Sequence, residues 1–110
     1  MADDGEAEGR IGELRGGAWV FPVHATWPFA RLEVYSDRLV LHCVLTETRV
    51  VHRDELIRIR VRRIVSRGLV FETTTPEANG VTFWPMPASR ALEMLTTAGW
   101  PIEPPQRQED

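Results

Sequence analysis

At 110 residues, with 43% apolar and 26% charged side chains, the chain has the material for one hydrophobic core but not two. No apolar run approaches the ~20 residues that a membrane-spanning helix requires, and the acidic start MADDGEAEGR lacks the basic and apolar stretches of a secretory leader, so a cytoplasmic protein is expected. The net charge of −3 averages unlike parts: Asp3, Asp4, Glu6 and Glu8 make residues 1–9 strongly acidic, the tail 103–110 is −2, and residues 10–102 carry +3, all of the cationic groups outside histidine being arginine.

Residues 1–16 are too poor in apolar groups to bury a surface and read as an acidic disordered arm, and 103–110 reads as a matching tail. The following AWVFPVHATWPFA mixes aromatics with prolines, which argues for an extended segment set partly into a core rather than a helix. From Arg31 the pattern alternates. RLEVY puts Leu32 and Val34 on one side and Arg31, Glu33 and Tyr35 on the other, and Ser36-Asp37 turns the chain into RLVLHCVL, where Leu39, Leu41 and Cys43 share a face. VVH and Asp54-Glu55 lead into LIRIRVRRIV, the longest predicted strand, which passes through SRG into LVFETTT. Asn79-Gly80 suits a tight hairpin turn ahead of VTFW. Then the period changes: Ala88, Ala91, Leu92, Leu95 and Ala98 recur at helical spacing, with Gly99 placed as a cap and Pro101 beyond, predicting a helix over about 88–98.

These elements predict a mainly β (α+β) domain over 17–102, a strongly bent antiparallel sheet or partly open barrel of six to seven strands capped by one C-terminal helix. The stretches TWPFARLEVYSDRLVL, RDELIRIRV, GLVFETTTPEANGVTFW and ALEMLTTAGWPI together resemble the pleckstrin-homology-like (PH-like) superfold, especially its small bacterial members. The resemblance implies a non-enzymatic interaction or scaffold module that binds protein or peptide partners or associates with itself.

Two constellations could carry binding. In RIRVRR a strand would turn Ile57, Ile59 and Val61 inward and present Arg58, Arg60 and Arg62 as a guanidinium row. The plain reading of that row is a solvated face paired with Glu33, Glu47 or Glu72; the alternative is an anion, phospholipid or nucleic-acid surface. Lipid binding of the kind the resemblance suggests would call for clustered bases on the first hairpin, where YSDRL offers Arg38 beside Asp37. Nucleic acid is not expected, since the arginine strand has no stacking aromatic of its own, and peripheral membrane contact is the weaker alternative. The second constellation is the Trp-Pro pairs at Trp27, Trp84 and Trp100. Most such rings belong in the core, but Trp27 and Phe29, outside the clearest strands, are candidates for a partner-binding patch.

No catalytic, cofactor or metal site is expected. His42 and Cys43 are neighbours on a strand and point to opposite faces, and His24 and His52 lack further ligands at metal spacing. A small-ligand-binding domain with His24, His52 or Cys43 in a cavity is the remaining alternative. There is no glycine-rich phosphate loop and no nucleophile elbow.

Overall fold

The computed structural model describes residues 9–20, 23–44, 46–63, 67–76, 78–86 and 88–103. Among these residues, eight strands, β1 (Arg10–Val20), β2 (Val23–Tyr35), β3 (Arg38–Cys43), β4 (Arg49–His52), β5 (Leu56–Arg63), β6 (Arg67–Thr73), β7 (Val81–Pro85) and β8 (Ile102–Glu103), form a single curved sheet with one α-helix, α1 (Ala88–Thr97), before the last strand. The order across the sheet is β4-β3-β2-β1-β7-β6-β5-β8. All neighbours are antiparallel except β8, which lies parallel to β5. The fold class is therefore the one the patterning predicts, with eight strands in place of six or seven.

The strands curl around one core. Alternate residues of β2, β3, β5, β6 and β7 turn inward, so Leu32, Val34, Leu39, Ile59, Phe71 and Phe83 are almost wholly removed from solvent. Helix α1 closes the structure by adding Ala91 and Leu95 from one face. Its end is a Schellman cap: Gly99 takes a positive φ of 86°, its N–H donates to the Thr96 carbonyl, and the Trp100 N–H reaches back to Leu95. The cap drives Trp100 into the core at 3% exposure, and its indole N–H donates to the Tyr35 carbonyl at 2.9 Å. Arg53, in a single 3-10 turn after β4, covers this ring with its guanidinium 4.2 Å from the centroid. The same side chain donates to the carbonyls of Ser36, Ala98 and Gly99. One arginine thereby ties the β2–β3 turn to the open carbonyls at the end of α1.

Three expectations change. The first strand starts at Arg10, inside the stretch read as a disordered arm, and buries Leu14 to 5% exposure; RIGELRGG is a poor strand former, but pairing with β2 from Arg10↔Tyr35 onward holds it extended. Residues 1–8 and 104–110 of the predicted arm and tail lie outside the described residues, while Glu103 belongs to β8. Next, Ile57 does not face inward: it is 54% exposed. The β5–β6 register passes from Leu56↔Thr73 to Arg58↔Glu72, so β5 holds one extra residue at a bulge, and both Ile57 and Arg58 face out before the alternation resumes with Ile59 and Val61 inside. Finally, β2 at 13 residues, not β5, is the longest strand, because it pairs with β1 on both sides of the Trp-Pro segment, at Ala30 to Tyr35 and again at Val23 to Ala25.

Candidate functional site

The pairing of β1 with β2 is interrupted where the aromatics lie. Gly16 faces Ala30 and Ala18 faces Ala25, so Gly17 alone stands opposite residues 26–29 of β2. These four residues bow out of the sheet and carry Trp27 and Phe29, 55% and 53% exposed, around a cis Trp27-Pro28 peptide. The backbones crowd together at this point. A Cβ on Gly17 would lie 2.8 Å from the Ala25 carbonyl oxygen, and one on Gly16 would collide with the Trp84 carbonyl. Gly17 thus makes room for the excursion, and Gly16 for the close approach of β7 on the other side of β1.

Beside it lies an open groove of about 470 Å³, with Pro28, Phe29 and Val44 as its apolar lining and Arg15, Arg31, His42 and Thr48 as its polar lining. The Val44 N–H donates to the Phe29 carbonyl at 3.2 Å, which holds the two apolar walls together. Arg15, Arg31 and His42 form one row across three strands, since Arg15 is opposite Arg31 and Arg31 opposite His42. Arg31 donates to Glu13 at 3.1 Å, while Glu33 receives Arg10 at 2.8 Å and lies 3.1 Å from the His42 ring. Arg15 differs. It is exposed, and among the described residues its guanidinium donates a long hydrogen bond to the Pro28 carbonyl, 3.5 Å, with no carboxylate in salt-bridge range.

Glu33 is the hub of this face. Burial pushes its carboxyl up, but the hydrogen bond and charge of His42, with Arg10 and Arg31, outweigh that and hold it below the usual carboxylate range. A group with a lowered folded pKa contributes stability above its unfolded value, and that stability is lost as pH falls through the folded one. The melting temperature should accordingly fall on acidification from about pH 4.3 downward, and Glu33→Gln should lower it at neutral pH while flattening that acid limb. Parallel melting curves across an acid pH series check both; an unchanged acid limb in the variant would mean that Glu33 is not the linked group.

The arginine row of β5 is present but largely spoken for. Arg58 donates to Glu72 at 2.6 Å and Arg60 to the same carboxylate at 3.2 Å, and Glu103 of β8 lies within 3.8 Å of both. The Arg58 hydrogen bond is also the main cause that lowers the Glu72 carboxyl and raises the Arg58 guanidinium. Arg62 is exposed without a carboxylate partner among the described residues. The row and the Trp27–Phe29 excursion lie on strands separated by β1, β7 and β6, so the two sets of candidates do not form one site.

No protein-family model, curated protein or solved structure matches this chain.

Among the remaining candidates, Cys43 is a buried thiol that burial pushes up, which keeps it protonated and poorly nucleophilic at neutral pH. The His24 ring lies between Trp19 and Trp84, at centroid distances of 5.6 and 5.7 Å. No group of three or more His, Cys, Asp or Glu among the described residues is placed to hold a metal ion, and no described helix is long and apolar enough to cross a membrane. Arg15, Arg31 and His42 were not singled out as binding residues from the sequence. They lie far apart along the chain, and only the register of β1, β2 and β3 brings them into one row.

Proposed function

We propose that the chain is a non-enzymatic interaction module of the PH-like kind, which binds a protein or peptide partner through the Trp27–Phe29 excursion and the groove next to it. The observation that carries this reading is the pair of aromatic side chains more than half exposed on a backbone bulge. Large rings held by a rigid frame lose little entropy on binding and supply the anchors found at the centre of many interfaces. Two antiparallel meanders, β1 to β4 and β5 to β7, joined through the β1–β7 pair, with a C-terminal helix and the Gly99-Trp100-Pro101 exit, support the PH-like part of the reading.

The test is the double variant Trp27→Ser/Phe29→Ser. Both side chains face solvent, so melting should shift by no more than about 0.5 kcal/mol of stability per site. Binding to peptides selected on the wild-type protein should weaken by roughly 30-fold or more, as for loss of interface anchors. Light scattering on the same pair covers self-association: a wild-type dimer that becomes monomeric in the variant assigns the patch to a second copy. Unchanged peptide binding together with unchanged mass would remove the proposed surface.

A further inference from the structure

Resting on that reading, we infer that the groove accepts an acidic residue of an extended segment of the partner, its carboxylate on Arg15 and a neighbouring apolar side chain between Phe29 and Val44. The chemistry of the lining selects this occupant. Pro28, Phe29 and Val44 offer apolar walls, and a groove of about 470 Å³ is at the scale of a few side chains rather than a large ligand. Two arginines and His42 line one row, but Glu13 and Glu33 already balance Arg31, and Glu33 faces His42. Among the described residues, Arg15 is left with most of its guanidinium donors uncommitted, beside the Pro28 carbonyl in the groove lining.

A planar fork of N–H donors matches a carboxylate in two-point geometry. The charge balance selects a singly charged group. A phosphate brings nearly two negative charges to one uncompensated arginine, and Glu13 stands two residues along the same strand with Glu33 across from it. A basic segment would meet Arg15 unopposed. The apolar walls then require a side chain beside the acid, which a peptide provides and a free carboxylate does not.

The experiment uses immobilised full-length protein and three synthetic peptide pools that differ only at a central position, Asp, Asn or phosphoserine, with flanks randomised over Leu, Phe, Val, Ser and Gly. Wild type should retain the Asp pool about tenfold over the Asn pool, within the range of charge pairs at interfaces, and over the phosphoserine pool as well. The preference should shrink as salt is raised. Arg15→Gln should bring Asp and Asn to parity while still retaining apolar-flanked peptides. Arg15→Lys, which keeps the charge without the fork, should fall between, and circular dichroism should show both variants folded.

The outcomes separate this inference from the reading beneath it. Equal retention of Asp and Asn by the wild type, or a preference that survives Arg15→Gln, overturns the role of Arg15 and leaves the aromatic patch standing. Preference for phosphoserine overturns the choice of carboxylate. Retention of no pool by the wild type removes both the inference and the proposed surface, and the Trp27→Ser/Phe29→Ser protein, which should retain none of the three, provides the baseline.

Discussion

Leu95→Asp should abolish cooperative folding. Leu95 lies on the inner face of α1 with no measurable exposure, against the closed side of the sheet. A carboxylate there has neither water nor a built partner, and a buried unpaired charge costs several kcal/mol even after the group takes up a proton. Domains of this size are stable by only about 5–15 kcal/mol, and loss of leucine packing adds a further penalty of about 2–5 kcal/mol. Far-UV circular dichroism with urea titration should show a broad, weakened or absent transition. Arg60→Glu is the control of opposite location. Its side chain is 49% exposed and pairs with Glu72 and Glu103 at the surface, so reversal of its charge should cost no more than about 1 kcal/mol and leave a sharp transition. A Leu95→Asp protein that melts like the wild type would show that α1 is not the lid of the core.

Trp100→Ala should destabilise by about 3–5 kcal/mol, the range for truncation of a buried large aromatic. The ring fills the space where α1 ends, its N–H satisfies the Tyr35 carbonyl at 2.9 Å, and it supports Arg53 above it. Its loss leaves Arg53 holding Ser36, Ala98 and Gly99 across a void. Trp100→Phe separates packing from hydrogen bonding: most apolar contact is kept, the indole donor is lost, and the expected cost drops to about 1–2 kcal/mol. Urea midpoints for the two variants give the comparison. Equal costs for Ala and Phe would assign the stability to the hydrogen bond alone, and a negligible cost for Ala would mean that the helix is held from elsewhere.

The parts of the fold legible in the sequence are those where local pattern and tertiary environment agree. Leu32 and Val34, then Leu39, Leu41 and Cys43, lie inside as alternation requires, and the helical recurrence from Ala88 to Leu95 marks α1 closely. Gly99 and Pro101 announce its end because left-handed backbone and a missing N–H are properties of single residues. β1 was only partly legible: its arginines, glutamate and glycines have little strand preference, and long-range pairing decides their conformation. Ile57 was misplaced for a different reason. A bulge inserts one residue and reverses the side on which the next apolar group falls, and no residue in LIRIRV marks it.

The candidate binding surfaces divide in the same way. Trp27 and Phe29 could be selected because prolines and aromatics disrupt a regular strand pattern, and both side chains are exposed. Glu72 was foreseeable as a partner of the arginine row from its place on the next strand. Glu103 was not, because a two-residue parallel strand leaves almost no signature, yet it faces Arg58 and Arg60. The row Arg15, Arg31 and His42 has no local signature at all.

Gly16 and Gly17 have a bearing on how such a surface can diverge. A Cβ at Gly17 would meet the main chain of Ala25 to Trp27 at the bow, and one at Gly16 the main chain of Trp84 on β7, while the rings displayed at 27 and 29 project largely into solvent. The identity of the displayed residues and the integrity of the scaffold are therefore set by separate positions. Exchange of the side chains at 27 and 29 should cost little foldability, whereas a side chain gained at 16 or 17 would force apart the strands that frame them.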